Sequence, residues 1–319
     1  MSRVQLAFEE FFRTDGSNLP LPGSGETWRR FEVLAFWASV DLSVGRLAEG
    51  HSDAMAILAE AGMKPCGDDA KYGVWAARSH GGCTSAKPVV GGWRLTGSKA
   101  FCSGTNIIDR ALVTADTPDG YRIFDVAVAE HVSRIHEDSW PAVGMADSRS
   151  ETLDFTGPVI PEERAVGPAG FYTDRPGFWF GAAGVAACWY GGAQGLMNSL
   201  ISSLPIEPNE HVLSDLGLAM AGVETMRAVL HSVADAIDRD PDDATKNARF
   251  QTLVARQVVH DAALEVLTRV GSAGGARPLC LDREQSRRAA DLFVYLSQHH
   301  GGSDAADLGR LAKASRPCN

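Results

Sequence analysis

The sequence has 319 residues, of which 45% are hydrophobic and 22% are charged, so the chain is long enough to bury a substantial core. A formal net charge of −10, without a dense run of lysine and arginine, argues against a nucleic-acid-binding surface. No stretch approaches eighteen consecutive apolar residues, so no membrane-spanning helix is predicted.

The polar and sulfur-containing residues predict a cytoplasmic protein without a metal. The six cysteines are scattered and show no CxxC spacing, which is typical of reduced thiols. The first residues lack an apolar signal core, and Glu9 and Glu10 also fit export poorly. His131 and His136 lie five apart without a neighbouring set of cysteines or carboxylates, so a zinc site is not expected.

The first part of the chain is predicted to be helical. Apolar residues recur at spacings of three and four between residues 28 and 47, which places them on one stripe of a helix. Glycines and prolines between residues 14 and 27 indicate turns before this helix. Helices are therefore predicted over residues 3–12, 28–47 and 53–61, the last of them closed by Gly62.

The middle of the chain predicts an antiparallel β-domain. Between Tyr72 and Val166, glycines are frequent and β-branched or aromatic residues alternate with polar ones. Residues 92–104 indicate a short strand, a turn at Gly97 and a second strand that leads into a Ser-Gly corner. Further strands are predicted over residues 107–114, 121–129 and 152–160.

Helical periodicity returns after Gly177 and continues to the end of the chain. A long apolar helix is predicted over 178–204, a third is capped by Asp243 and stops at Gly271, and the last two cover 284–298 and 304–313. Between residues 209 and 238, one helix carries a near-heptad seam of Val212, Leu216, Met220, Val223, Leu230, Val233 and Ile237.

Two runs in the middle of the chain resemble the central β-domain of the acyl-CoA dehydrogenase superfamily in their order and spacing. They are residues 92–104, Gly-Trp-Arg-Leu-Thr-Gly-Ser-Lys-Ala-Phe-Cys-Ser-Gly, and residues 143–167, which begin Val-Gly-Met-Ala-Asp-Ser-Arg-Ser. The resemblance covers roughly residues 40–311. It implies an α+β fold with an abbreviated N-terminal helical domain (1–71), a middle antiparallel β-domain (72–170) and a C-terminal four-helix bundle (171–319).

The same resemblance implies a bound FAD. Phe101 would pack on the flavin ring, the Ser103 hydroxyl would meet a polar ring edge, and Gly104 would complete this corner. Residues 79–82 align with a small-residue loop near phosphate and substrate. Further cofactor contacts are implied for Tyr72, Val74 and Trp75, where the family's Thr-Glu-Pro is replaced by Trp-Ala-Ala, and for Gly274 and Gly275 near the adenosine half.

Two departures from the family pattern concern the phosphates and the base. Family members usually carry an Arg-x-x-Phe-Gly motif that holds the pyrophosphate, whereas residues 208–213 here contain no arginine or lysine. His299 or His300 holds the place of the usual carboxylate, and the alternative location at 185–187 has no acid. A histidine there resembles the flavin monooxygenase branch, where imidazole assists substrate deprotonation or stabilises an oxygenated flavin.

Several of these features also have purely structural interpretations. Ser-Gly pairs are common turn formers, so Ser103 and Gly104 fit a plain β-turn. Histidines at a helix C-terminus interact favourably with the helix dipole, so His299 and His300 fit a solvated helix end. The glycines of residues 191–195 are interpreted as close helix packing, because no strand precedes them.

The resemblance implies an FAD-dependent oxidoreductase that dehydrogenates an acyl thioester or a related small molecule. The first alternative is a monooxygenase of the same fold that uses reduced flavin and O₂. The second is a catalytically inactive relative that acts as a binding or assembly partner. Because family members assemble through their helical bundle, a homodimer or homotetramer is expected.

Overall fold

The structure is a computed structural model that describes residues 1–16, 18–67, 69–78 and 83–314. The loop at residues 79–82 and Cys318 lie outside this part of the chain. In order along the chain, the described residues form helices, then a sheet, then helices again.

The helices and strands have the following bounds. The helices are α1 (Arg3–Phe11), α2 (Thr27–Val40), α3 (Leu42–Glu60), α4 (Val128–His131), α5 (Phe171–Asp174), α6 (Gly177–Ser203), α7 (Glu210–Arg239), α8 (Ala248–Gly274), α9 (Ala276–Leu281), α10 (Arg283–Leu296) and α11 (Gly302–Ala314). The strands are β1 (Tyr72–Trp75), β2 (Thr84–Val89), β3 (Gly92–Cys102), β4 (Arg110–Thr117), β5 (Gly120–Ala127), β6 (Val132–His136), β7 (Glu151–Phe155), β8 (Ile160–Pro161) and β9 (Ala165–Val166).

Contacts divide the chain into two compact units. The first consists of Met1–Leu19, Arg46–Ala142 and Ala146–Phe178, and the second of Pro20–Gly45, Val143–Met145 and Trp179–Asn319. The N-terminal helices are therefore shared between the units, since α1 belongs to the first and α2 to the second. A central sheet followed by a C-terminal helical region is as predicted, whereas the three domain boundaries remain predictions.

The predicted helix over residues 28–47 is wrong, because the chain leaves the helical conformation at Asp41. This residue is extended, with φ −159° and ψ 125°. Its carboxylate accepts hydrogen bonds from the backbone N–H groups of Ser43 (2.8 Å) and Val44 (3.3 Å), so it caps a new helix. The next helix, α3, then runs without interruption through the predicted start at residue 53. The apolar spacing continues across Asp41, so the sequence pattern did not indicate a helix boundary there.

The sheet of the first unit is mixed rather than purely antiparallel. Its strand order is β6-β7-β3-β2-β4-β5-β9, with β8 paired to β3. Most pairs are antiparallel, but β1 pairs with β4 in parallel, and Ser85 of β2 pairs in parallel with Asp116 of β4. A short strand that follows the long helix α3 enters the sheet in the direction of β4, which the alternation of residues could not reveal.

Gly97 lies inside the continuous strand β3, so the turn predicted at Gly97 is wrong. It pairs with Thr84 on one side and with Phe155 on the other. Its φ is +103°, and a Cβ there would overlap the carbonyl oxygen of Cys83. The glycine is therefore required by close strand approach and a positive φ.

Each face of the sheet carries its own apolar cluster. One cluster contains Trp75, Leu95, Phe124, Leu153 and Phe155. On the other face, side chains of β1, β4, β5 and β9 pack with α3, and the residues are Ala54, Ile57, Leu58, Tyr72, Val74, Leu112, Ile123 and Val166. Alternation along the strands directs these residues to opposite faces.

In the second unit, α7 packs along α8, and α2 also contacts α7. The start of α2 is held by Asp238 of α7, whose carboxylate accepts from the Thr27 backbone N–H (3.0 Å) and from its hydroxyl (2.6 Å). Only the later part of the predicted seam is buried, from Val223 to Ile237. Of the earlier members, Val212 and Leu216 are half-buried and Met220 is exposed, so the buried part of the seam does not extend to the start of α7.

The glycines of residues 191–195 allow close helix packing, as predicted. A Cβ at Gly191 would overlap the carbonyl oxygen of Ala35, and one at Gly195 would lie 2.5 Å from the carbonyl oxygen of Ser39. Both carbonyls belong to α2, which therefore lies directly against α6.

Both predicted ends of α8 are wrong. The helix begins at Ala248, with Asn247 and not Asp243 at the N-cap position. The predicted end at Gly271 is four residues too early. The helix continues to Gly274 and ends at Gly275, whose φ is +62°. Gly271 remains helical because a glycine is tolerated inside a helix, at a cost of about 1 kcal/mol relative to alanine. In the described part of the chain, no helix is both long enough and apolar enough to cross a membrane.

Candidate functional site

Phe101 is the residue that the β3 corner presents to solvent. Between Lys99 and Cys102, β3 contains one more residue than β7 opposite, which is a β-bulge. At this bulge the backbone of Phe101 has a φ of +60°, and the residue is 51% exposed. Its ring meets the edge of Trp140 at a centroid distance of 6.2 Å. A bulky residue held at positive φ with an exposed ring is typical of a binding surface.

Ser103 and Gly104 form a turn directly after the bulge. The carbonyl oxygen of Gly104 accepts from the N–H of Ile107 (2.8 Å), and the φ of Gly104 is +84°. The turn interpretation of this pair is thus confirmed, and the flavin contact remains a prediction. The Ser103 hydroxyl is nearly buried and forms a 2.7 Å hydrogen bond with the hydroxyl of Ser150.

The two runs of sequence that carry the family resemblance are joined at this corner. The backbone N–H of Gly104 donates to the carbonyl of Ser148 (2.8 Å), and the Thr105 hydroxyl donates to the carbonyl of Arg149 (3.0 Å). The hydroxyl of Ser150 also lies 2.9 Å from that of Ser148. Ser148 and Ser150 lie in the second run of the family resemblance, but no sequence signal predicted a role for either hydroxyl.

The side chains of Tyr72 and Trp75 are used inside the first unit. The Tyr72 hydroxyl accepts from the Cys66 N–H (2.7 Å) and donates to Asp125 (3.2 Å), and burial raises the pKa of Tyr72 to about 12. The Trp75 indole packs against Phe155 and donates from Nε1 to the carbonyl oxygen of Ser103 (3.0 Å). Val74 is also buried. A cofactor contact from this strand would therefore use backbone atoms.

His299 and His300 have very different surroundings in the second unit. The side chain of His299 is 2% exposed, and that of His300 is 76% exposed. The interpretation as a solvated helix end therefore holds for His300 and is wrong for His299. The ring of His299 stacks on His260 at a centroid distance of 4.4 Å and meets Trp189 edge-on at 6.1 Å.

Hydrogen bonding fixes the tautomer of His299. The backbone N–H of Gly301 donates to Nδ1 at 3.2 Å, so the neutral ring carries its proton on Nε2. Among the described residues, Nε2 has no hydrogen-bond partner, and the nearest carboxylate oxygen, from Asp304, is 3.9 Å away. Burial, together with positive charge from His260 and Arg256, lowers the pKa of His299. The neutral imidazole is thus a hydrogen-bond donor at Nε2.

Arg256 holds the residues around His299 in place. Its guanidinium donates to the carbonyls of Ala182 (3.0 Å) and Gln298 (3.5 Å) and lies 4.6 Å from the ring centroid of Trp189. The indole Nε1 of Trp189 is buried without a hydrogen-bond partner in the residues that the structure describes. No motif predicted Arg256, His260 or Trp189 beside His299, because they lie on α8 and α6, far from His299 in the chain.

The remaining predicted residues lie at the corner between α8 and α9. A Cβ at Gly274 would approach Pro278 (2.7 Å) and Leu200 (3.5 Å), whereas a Cβ at Gly275 would enter open space. At the start of α7, Asn209 caps the helix by accepting from the N–H groups of His211 and Val212, and Glu210 places a negative charge in the first turn. In the ranges that the structure describes, no group of three or more histidine, cysteine, aspartate or glutamate residues could hold a metal.

No family model and no curated protein matches the sequence. Solved structures do match over almost the whole chain. KijD3 in complex with FMN and a dTDP-amino-keto sugar has a TM-score of 0.81 at 17% identity, covering 98% of this chain and 87% of KijD3. FMN-bound TdsC from Paenibacillus sp. A11-2, described elsewhere as a dibenzothiophene monooxygenase, gives 0.78 at 18% identity, covering 98% and 96%. XiaF from Streptomyces sp., with FADH₂ and glycerol, gives 0.77 at 18%, covering 98% and 89%.

The chain has the acyl-CoA dehydrogenase fold. The resemblance inferred from residues 92–104 and 143–167 is therefore confirmed at the level of the fold. The matched structures share fewer than one residue in five with this chain, so their reactions and ligands do not transfer with the fold.

Proposed function

We propose that this protein is a flavin-dependent oxidoreductase and that its reaction is a monooxygenation with reduced flavin and O₂. The fold supports the first part, since the matched structures contain FMN or FADH₂. The observation that carries the second part is the side chain at the place of the usual base. It is the imidazole of His299, which donates from Nε2, and not a carboxylate.

Dehydrogenation of an acyl thioester requires a carboxylate aimed at the α-carbon. Neither family location provides one, because residues 185–187 are Val-Ala-Ala and residues 299 and 300 are both histidines. An imidazole whose Nδ1 already accepts from Gly301 has no free basic nitrogen for that proton. The site therefore favours the monooxygenase over the dehydrogenase.

The β3 corner offers an aromatic ring for stacking on a flavin, but it limits when the Ser103 hydroxyl can donate to that flavin. Phe101 offers an exposed aromatic face, and the strained backbone at the bulge sets its direction. The Ser103 hydroxyl can donate to a ring edge only when Ser150 donates to Ser103, because a hydroxyl has a single proton. Phe101 and Ser103 are the residues we expect to hold the cofactor, with backbone atoms of Tyr72 to Trp75 as further contacts.

A bound reduced flavin would supply the electrons that activate O₂. The chain's own contribution would be the Nε2–H of His299, a buried donor that has no hydrogen-bond partner among the described residues. Burial keeps this imidazole neutral, so it donates a hydrogen bond without adding a charge. Stacking on His260 and the hold of Arg256 on Gln298 fix the direction of the donor.

We expect the flavin to be FMN at least as readily as FAD. The pyrophosphate of FAD carries two negative charges, and the family's arginine motif is replaced here by Pro208-Asn209-Glu210-His211-Val212-Leu213. Glu210 would repel a pyrophosphate at this place. The substrate is expected to be a small organic molecule, and an acyl-CoA thioester finds no support in the site.

The test is a titration of the purified protein with FMN and with FAD, each in its oxidised and reduced forms, followed by fluorescence. We expect the protein to bind reduced flavin and to consume O₂. The O₂ consumed should appear either in an oxygenated product or as hydrogen peroxide. Bleaching of bound flavin by an acyl-CoA would instead support the dehydrogenase. If the protein binds flavin in neither redox state, the remaining alternative is a catalytically inactive relative that acts as a binding or assembly partner.

Two histidine variants complete this experiment. His299→Gln should lower kcat by about two orders of magnitude, in the range expected for loss of a positioned proton-bearing group. His300→Gln is the matched control and should retain the wild-type rate, because its side chain is exposed. Equal rates for the wild-type protein and His299→Gln would remove His299 from the mechanism.

A further inference from the structure

We propose that Ser150 is a positioning residue for the cofactor contact of Ser103, so that the flavin site includes a hydroxyl from the second recognised run. This inference rests on the proposed function, because it concerns the same corner. Ser150 itself would not touch the cofactor. It would act by setting which way the proton of the Ser103 hydroxyl points.

The geometry of the three hydroxyls supports this role. Ser150 Oγ lies between the other two, 2.7 Å from Ser103 Oγ and 2.9 Å from Ser148 Oγ. All three residues are buried or nearly so, so water cannot replace these bonds freely. When Ser150 donates to Ser103, the Ser103 proton is released for an outside acceptor such as a carbonyl of a flavin ring. When Ser103 donates to Ser150, that proton is consumed inside the protein.

The surrounding backbone keeps the Ser103–Ser150 pair in register. On one side, Trp75 Nε1 holds the Ser103 carbonyl (3.0 Å). On the other, Gly104 N–H and the Thr105 hydroxyl hold the carbonyls of Ser148 and Arg149. The carbonyl and the following residues of the corner are thus fixed, and the hydroxyl of Ser103 is the part left to rotate. Ser150 is its hydrogen-bond partner within the described residues.

The experiment is a double-mutant cycle read by flavin affinity. Ser103→Ala, Ser150→Ala and the double variant are titrated with the flavin that the wild-type protein binds best. Each single variant should raise Kd by roughly threefold to tenfold, as for one lost hydrogen bond. Because Ser150 acts only through Ser103, the double variant should bind no more weakly than Ser103→Ala.

Two further measurements separate positioning from a general loss of structure. Ser150→Ala should shift the visible absorbance bands of the bound flavin, as Ser103→Ala does, and Ser150→Thr should restore them. Ser85→Ala is the matched control, since Ser85 pairs with the Thr96 hydroxyl on the exposed part of the same sheet (3.4 Å). This control should keep both the wild-type Kd and the wild-type spectrum.

The outcomes distinguish this inference from the proposed function. A wild-type protein that binds no flavin overturns the proposed function, and the inference with it. If the wild-type protein binds flavin and Ser150→Ala binds it equally well, only the inference fails. Additive effects in the double variant would also overturn it, because Ser150 would then act independently of Ser103.

Discussion

Phe101 combines a strained backbone with an exposed ring. A side chain at φ +60° costs roughly 1–2 kcal/mol relative to glycine, and here the bulge between β3 and β7 imposes it. The strain is not offset by full burial of the ring, since half of the residue remains exposed. The proposed flavin contact would account for a ring kept at this cost.

Two variants of Phe101 separate the ring from the strain. Phe101→Ala and Phe101→Gly both remove the ring, but only alanine keeps a Cβ at positive φ. We expect Phe101→Gly to be the more stable variant by about 1 kcal/mol in urea unfolding. This is the reverse of the order at an ordinary strand position. Both variants should weaken flavin binding equally, and an unchanged Kd would remove Phe101 from the site.

The buried His299 makes stability depend on pH. The pKa of His299 is lowered in the folded protein from its ordinary value of about 6.5. Below pH 6.5 the unfolded chain therefore binds more protons than the folded protein. Stability should therefore fall as the pH drops through 6.5. His299→Gln should show a smaller loss than the wild-type protein between pH 7.5 and 5.5 in urea unfolding. His300→Gln, at an exposed position, should follow the wild-type curve, and an identical loss for all three proteins would contradict this origin.

At the scale of elements, Gly97 is the position where the sheet tolerates no side chain. Gly97→Ala should destabilise the protein by about 3 kcal/mol or more, because its Cβ would overlap the Cys83 carbonyl at a φ of +103°. Gly91→Ala is the matched control. Gly91 also has a positive φ, of +88°, but its Cβ would enter open space, so we expect a loss of about 1 kcal/mol. Equal losses in thermal or urea unfolding would show that strain, and not overlap, limits Gly97.

A capping residue next to an apolar stripe predicted the start of some helices but not of others. The start of α7 after Asn209 is an example, since its side chain caps the helix as its residue type suggests. Asp41 is the opposite case, because its cap interrupts a stripe that continues through it. Gly97 and Gly271 were misplaced for a related reason: a glycine marks a need for space or positive φ, but its neighbours decide which.

The candidate site could be predicted only where it is local in sequence. Phe101, Ser103 and Gly104 follow one another along β3 and the turn after it, so a single motif contained them. The group around His299 draws on α6, α8 and α11, through Trp189, Arg256, His260 and Asp304. These side chains meet through helix packing, which no motif in one segment encodes.

At the scale of the whole molecule, the exposed face near the start of α7 bears on assembly. Leu213 and Met220, seven residues apart on one face of α7, are both exposed on a helix whose later half is buried. The expected homodimer or homotetramer would cover this face. Light scattering should therefore give a mass two or four times that of one chain.

Leu213→Glu should reduce this mass towards that of a single chain, because a carboxylate would be buried in the interface without a partner. Leu281→Glu is the matched control, since Leu281 is also an exposed leucine but lies on α9. It should leave the mass unchanged. A wild-type protein with the mass of one chain would contradict the expected assembly.

The edge contact between Trp140 and Phe101 gives the protein an optical probe of its own. The sequence has seven tryptophans, and Trp75 and Trp189 are enclosed in apolar surroundings. The indole of Trp140 instead lies 6.2 Å from the ring on which a flavin would stack, close enough for efficient transfer of excitation energy. Emission lost on adding flavin should thus include that of Trp140 beside that of Trp75, whose Nε1 donates to Ser103. A smaller loss in Trp140→Phe than in the wild-type protein would indicate a ligand at the bulge.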